Sequence, residues 1–164
     1  PNVHWDDENY QGEAYATYAW AAYLAEVEID TRTYETRVVN FYSNQEIGKV
    51  LHPTLAAGQI EGGIAQAIGY ALYEKVRYQD GQMINNQMTN YIMPTSVDLP
   101  NIHVNFEEWN NNYGPGGAKG IGELPMDGPA PAIINAVENA SGIVVNSIPM
   151  LPENLMDAME NHRG

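Results

Sequence analysis

Residues 53–74, PTLAAGQIEGGIAQAIGYALYE, carry the strongest helical pattern in the chain. Pro53 suits the first turn of a helix, because a proline there loses no intrahelical hydrogen bond. Apolar side chains then recur every four or five residues up to Glu74, as expected for one buried helix face: Leu55, Ile60, Ile64, Ile68 and Leu72. The segment therefore predicts a long amphipathic helix.

Glycines interrupt this helix at four positions, Gly58, Gly62, Gly63 and Gly69. Each costs about 1 kcal/mol relative to alanine in a helix interior, so their number needs a physical reason. Two explanations stay open. Either another part of the protein packs closely on the helix, or a ligand approaches it beside Gln59, whose amide both donates and accepts hydrogen bonds.

Strand patterns lie on the N-terminal side of the helix. Residues 14–29 are rich in tyrosine, alanine and β-branched residues, and their last part alternates apolar and polar side chains. A turn at 31–33 and a second strand over 34–42 predict a β-hairpin with one face towards solvent. The tyrosines and Trp20 suit the packing face of a sheet, although a ligand platform is the alternative.

The segments after the helix alternate between strands and helices. We predict a turn at Asp80-Gly81, a strand over 102–106, a helix from Pro129 to about Ala140 closed by Gly142, a strand over 143–147 and a terminal helix over 152–161. The chain is accordingly expected to be a single α+β domain, a mixed sheet with packed helices.

Composition excludes several functional classes. The 164 residues include 21 acidic and 7 basic side chains, a formal net charge of −14 without any basic cluster, so nucleic acid is not an expected partner. The absence of cysteine excludes iron–sulfur ligation by these residues. No apolar run is long enough for a membrane span or signal peptide, and we expect a cytoplasmic protein without membrane contact.

Residues 1–12 are polar and aperiodic and predict a tail or a truncated loop. His4, Asp6 and Glu8 are potential metal ligands, but a flexible terminus rarely forms a closed site by itself. We therefore predict no metal site formed by side chains of this chain.

A glycine-rich loop contains the candidate catalytic and binding groups. Residues 116–125 read GGAKGIGELP, four glycines around one lysine and one glutamate. A backbone so free of side chains can lie against a bound group and present its amide N–H groups to it, while Glu123 is a candidate base beside them. The alternative is a solvated glycine hinge whose glutamate points into water.

Several motifs occur in a defined order: GQIEGG at 58–63, NYIMPT at 90–95, DLP at 98–100 and AKGIGELP at 118–125. This order resembles the C-terminal part of the molybdenum-binding subunit of the xanthine oxidase and aldehyde oxidase family of molybdenum hydroxylases. The resemblance extends from about Ala14 to Leu155. It implies that residues 13–164 are the C-terminal molybdopterin-binding domain of a longer subunit, inactive alone.

The resemblance also implies a reaction and partners. Members of the family hydroxylate an aldehyde or an N-heterocycle such as a purine, with water as the oxygen source. Their cofactor is molybdenum held by a pterin, in a simple or a dinucleotide form, and iron–sulfur clusters and FAD are expected on partner chains or domains. The substrate itself is not indicated by these motifs.

Residue roles follow only where the family motif is matched. Glu123 stands at the position of the family's catalytic base, and Gln59 at that of its cofactor-contacting glutamine. The loop that approaches the cofactor corresponds to Ala118, Lys119, Gly120 and Gly122, with Lys119 either complementing charge or anchoring the loop. His52 replaces the family's asparagine, and we predict a loop residue there and no metal ligand.

One alternative belongs to another functional class: an acidic, tyrosine-rich binding module, for carbohydrate or protein, without catalysis. The position of Glu123 discriminates between the two. A catalytic Glu123 should line a cleft next to Gln59, whereas a binding module should expose it and present the tyrosines as an open aromatic shelf.

Overall fold

The computed structural model describes residues 4–162. In chain order its elements are β1 (Trp5–Asp6), β2 (Gln11–Gly12), β3 (Trp20–Ile29), β4 (Thr36–Glu46), α1 (Pro53–Leu72), β5 (Tyr78–Gln79), β6 (Gln82–Met83), β7 (Asn101–Glu107), α2 (Leu124–Asp127), α3 (Pro129–Ser141) and α4 (Pro152–His162).

The central sheet has three strands in the order β3, β4, β7. Strands β3 and β4 form the predicted antiparallel hairpin, and β7 joins β4 in parallel, so the sheet is mixed as predicted. The hairpin turn is held by Asp30, whose carboxylate accepts hydrogen bonds from the backbone amides of Arg32 and Thr33.

One face of the sheet is covered by helices. Strand β7 alternates exposed and half-buried residues along its whole length, and β3 does so over its C-terminal part, which is the pattern of a sheet with one wet face. Helix α1 buries Ile60, Ile64, Ile68 and Leu72 of the predicted face, whereas Leu55 in its first turn is 69% exposed. Fully buried side chains from sheet and helices form one core: Phe41, Ile60, Ile64, Ile68, Ile133, Val137 and Leu155. The α+β prediction is confirmed.

Short hairpins complete the chain. Strands β5 and β6 pair around the Asp80-Gly81 turn, as predicted. Strands β1 and β2 also pair, closed by a hydrogen bond from the Glu13 amide to the His4 carbonyl at 2.8 Å. The described part of the segment predicted as tail or loop is thus an exposed two-stranded hairpin. Within 4–162, no helix is both long and apolar enough to cross a membrane.

The strand predicted at 143–147 is wrong. Gly142 ends α3 in the left-handed conformation, with φ of 75°. The segment that follows has no regular secondary structure. The Val145 amide donates to the Glu138 carboxylate at 2.7 Å instead of to a neighbouring strand. Ile143 is 7% exposed, so the apolar run reflects burial of a connection and not strand pairing.

Candidate functional site

A recess of about 450 Å³ lies between α1 and the segment that follows the glycine-rich loop. Its lining combines amide, carboxylate and bare-backbone groups: Gln59, Gly62, Gly63, Gln66, Gly122, Glu123, Met126 and Asp127. The Gln59 Nε2 donates a hydrogen bond to the Gly122 carbonyl oxygen at 2.8 Å. The structure therefore brings Gln59, Gly122 and Glu123 together at one recess, as the motifs predict.

Glu123 owes its place to α2, a one-turn helix that sequence reasoning missed. Glu123 is the residue before the helix, and Pro125 lies in its first turn. Pro125 is buried against α1, where a Cβ atom added to Gly63 would lie only 2.5 Å from the proline Cγ. The signal that could have found α2 is Pro125, two residues after Glu123, because proline favours the first turn of a helix.

The α1 glycines divide between the two explanations that their sequence left open. Gly63 packs on Pro125, and a Cβ atom at Gly69 would overlap the Glu74 carboxylate, so both allow close packing within the chain. A Cβ atom at Gly58 or Gly62 would meet nothing within 4 Å. Packing among residues 4–162 thus accounts for only one pair, and the other pair faces open space.

The backbone amides of the glycine-rich loop also fall into two groups, those that are hydrogen-bonded within the chain and those that are not. The amides of Gly117, Ala118 and Lys119 donate to the carbonyls of Gly114, Pro115 and Ile47 at 2.8–3.1 Å, so they are not the free donor row that the sequence predicts. An isolated antiparallel β-bridge between Gly48 and Ala118 fixes this part of the loop to the residues that follow β4. By contrast, the four amides of residues 120–123 donate to no group within the described chain.

Lys119 is anchored. Its Nζ forms an ion pair with the Glu46 carboxylate and donates to the Tyr18 carbonyl at 2.8 Å, and its side chain is 11% exposed. Of the two roles that the sequence left open, these contacts favour anchoring. Together with Ala118 and Gly120, Lys119 lines a separate recess beside Tyr15 and Tyr113, so these three residues are not brought to Gln59.

His52 is the N-cap of α1. Its Nδ1 accepts a hydrogen bond from the Leu55 amide at 3.3 Å, a role that asparagine, its counterpart in the family motif, also performs well. Among residues 4–162, no group of three or more His, Cys, Asp or Glu side chains is arranged to hold a metal ion. The site therefore offers hydrogen-bonding and acid–base groups.

Glu123 lines the recess beside Gln59 and is at the same time exposed, because the recess is open on its outer side. The aromatic side chains do not form the shelf expected of a binding module. Rings in the described chain associate only as four separate pairs: Trp5–Tyr10, Tyr15–Tyr18, Tyr23–Phe41 and Tyr42–His103. The arrangement favours the cleft over the shelf.

Known proteins resemble this chain in sequence and in fold. Residues 1–100 match the family described as molybdopterin cofactor-binding domain. The gamma subunit of the 6-hydroxypseudooxynicotine dehydrogenase complex from Paenarthrobacter nicotinovorans is 33% identical over 84% of this chain and 18% of its own. A probable hypoxanthine oxidase from Escherichia coli is 34% identical over 87% of this chain and 15% of its own.

A solved structure resembles this chain in both sequence and fold. The aldehyde oxidoreductase from Desulfovibrio desulfuricans superposes with a TM-score of 0.87 and 33% identity over 97% of this chain and 17% of its own. The chain thus spans less than a fifth of the length of these three relatives.

Proposed function

The chain belongs to the molybdopterin cofactor-binding domain family, and on this basis we propose that residues 13–164 form the C-terminal cofactor-binding domain of a longer molybdenum hydroxylase subunit. The complete enzyme hydroxylates an aldehyde or a purine-like N-heterocycle with oxygen from water. Relatives named aldehyde oxidoreductase and probable hypoxanthine oxidase support these two substrate classes. The observation that carries the proposal is the Gln59–Gly122 hydrogen bond, which holds Glu123 at a recess.

The groups around the recess fit a pterin cofactor. Such a cofactor combines hydrogen-bonding ring edges with a phosphate-bearing tail, so it needs several donors without steric obstruction. The amides of Gly122 and Glu123, which donate to no group within residues 4–162, are such donors at the recess, and the absent side chains of Gly62 and Gly122 leave the approach open. The Gln59 Nε2 is held by Gly122, which leaves its Oε1 to accept from a ring N–H.

Charge divides the site into two parts. Glu123 and Asp127 both line the recess, and two carboxylates repel an anionic group. We therefore expect the phosphate-bearing part of the cofactor at the amides and not at these side chains. Nucleotide analysis of the cofactor released from the complete enzyme distinguishes a simple phosphate tail from a dinucleotide tail.

Glu123 acts as the general base. When bound, the molybdenum cofactor supplies the redox chemistry and activates the water-derived oxygen. The Glu123 carboxylate would accept a proton released at the recess, and general-base help of this kind contributes about 10²–10⁴ in rate. The Lys119–Glu46 ion pair anchors the neighbouring loop and so limits the displacement of Glu123.

The proposal includes partners. The chain has no cysteine, so iron–sulfur clusters that carry the electrons away are held elsewhere, with FAD, on other domains or subunits. One relative is itself named as a subunit of a complex. We propose a cytoplasmic multi-subunit enzyme in which this chain alone is inactive.

The test is Glu123→Gln in the complete molybdenum-loaded enzyme. We expect kcat to fall by about 10²–10⁴ with molybdenum content unchanged, because the amide cannot accept the proton. Glu160→Gln, the same change at an exposed position of α4, is the matched control and should keep wild-type activity. Full activity of Glu123→Gln would refute the base assignment.

A further inference from the structure

Tyr23 lies beneath the segment that presents Glu123. Its hydroxyl donates a hydrogen bond to the Leu124 carbonyl at 2.8 Å. The same ring is so close to Gly128 that a Cβ atom there would overlap the ring Cε2 atom. One tyrosine of β3 therefore contacts both ends of α2, the helix that begins directly after Glu123.

A buried polar pair of β4, Gln45 and Ser43, lies near Tyr23 on the sheet side. Gln45 of β4 is completely buried, and its Nε2 donates to the Ser43 hydroxyl at 2.5 Å. Burial raises the pKa of Tyr23, a hydrogen bond with Gln45 opposes this rise, and the Asp127 carboxylate adds to it. The hydroxyl accordingly stays protonated and remains a donor at neutral pH.

A second contact, with α1, also holds α2. Pro125 packs on the bare backbone of Gly63, with a separation that leaves no room for a side chain. The short helix is thus clamped between the sheet, through Tyr23, and α1, through Gly63. A four-residue helix has too few hydrogen bonds to fix its own position, so these contacts define where it lies.

We infer that Tyr23 is a positioning residue for Glu123: its hydrogen bond to Leu124 and its ring under Gly128 hold α2 so that the Glu123 carboxylate points into the recess. The inference rests on the proposed function of Glu123. A base must be held to within a fraction of an ångström of its productive position, and a displacement of about 1 Å can cost about 10²-fold in rate.

Tyr23→Phe tests the inference in the complete enzyme. The variant keeps the ring under Gly128 and removes only the hydroxyl donor. We expect kcat to fall by about 10- to 100-fold, KM to stay within about twofold and molybdenum content to stay unchanged. Hydrogen exchange of the peptide covering 119–128 should be faster by about tenfold, a readout that does not depend on turnover.

Tyr73→Phe is the matched control. Tyr73 is also a half-buried tyrosine whose pKa is raised by burial, but it caps the C-terminal end of α1 and lines a different cavity. The same loss of a hydroxyl there should leave both kcat and exchange of 119–128 unchanged. Equal losses in the two variants would overturn the inference, because they would indicate a general effect of removing a buried hydroxyl.

The outcomes separate this inference from the proposed function. A large loss in Glu123→Gln with wild-type kcat and exchange in Tyr23→Phe overturns the positioning role and leaves the base assignment intact. Full activity of Glu123→Gln overturns both. If Tyr23→Phe does not accumulate as folded enzyme, Gly128→Ala disturbs the same contact from the α2 side, because its Cβ atom would overlap the Tyr23 ring; a loss in the same direction is expected, and wild-type kcat and exchange would overturn the positioning role.

Discussion

Adjacent glycines of α1 allow the two explanations for this helix to be separated. Alanine in place of glycine stabilises a helix interior by up to about 1 kcal/mol. At Gly62 the new Cβ atom meets nothing within 4 Å, so Gly62→Ala should stabilise the 164-residue chain by about 0.5–1 kcal/mol. The same change at Gly63 should have the opposite sign.

The magnitude at Gly63 follows from its contact with Pro125. The new Cβ atom would lie 2.5 and 2.7 Å from two atoms of the proline ring and 3.1 Å from its backbone carbon. Neither the ring nor the backbone can rotate away, so α2 must shift, and overpacking of this kind costs about 1–3 kcal/mol. After subtraction of the helix gain of about 1 kcal/mol, we expect a net loss of about 0–2 kcal/mol.

Urea unfolding of both variants measures the difference, and molybdenum content of the complete enzyme supplies the second readout. Under the proposed function the open space at Gly62 belongs to the cofactor, so Gly62→Ala should stabilise the chain and yet lower molybdenum content. A Gly63→Ala chain as stable as Gly62→Ala would refute the packing account. Normal molybdenum content in Gly62→Ala would refute the approach of the cofactor to this helix.

Two further predictions concern charged groups. Lys119→Met leaves the Glu46 carboxylate, which is 13% exposed, without its cation. We expect urea unfolding to show a loss of about 3 kcal/mol in the free energy of unfolding. The double variant Lys119→Met/Glu46→Gln should regain part of this loss, because it no longer buries an unpaired charge. Hydrogen bonds from the backbone and side chain of Thr95 hold the pKa of Asp98 below 3.8. Because the pKa of Asp98 is lowered in the folded state, its stabilisation is present above pH 3.8 and is lost as the pH falls through the folded-state pKa. Asp98→Asn should therefore lose less stability than the wild type when acid unfolding is measured over this pH range. An identical pH dependence in the two proteins would contradict the prediction.

The larger elements were predictable because each has a repeating local signal. The period of Ile60, Ile64 and Ile68 defines α1, and the alternation before Asp30 defines β3. The convergence of Gln59 and Glu123 was also predictable, although only through the family motifs. Spacing alone does not indicate that Gln59 would bond to the carbonyl of Gly122.

The remaining features depend on tertiary contacts that local patterns do not encode. Residues 143–147 have strand-like composition, but Val145 finds its hydrogen-bond partner in the Glu138 side chain. Helix α2 is too short to show a period and exists because Pro125 packs on Gly63. The Lys119 amide looked free because its partner, Ile47, is distant in sequence, and the amides of Gly117 and Ala118 looked free because the short turn that pairs them with Gly114 and Pro115 was not recognised.

A structure of the complete molybdenum-loaded enzyme tests the central claim most directly, through the distances from two side chains to the cofactor. We expect a Gln59 amide atom within about 3 Å of a cofactor atom, and a Glu123 carboxylate oxygen within about 3–4 Å of the groups bound to molybdenum. A cofactor bound elsewhere, with neither side chain in contact with it, would contradict the account.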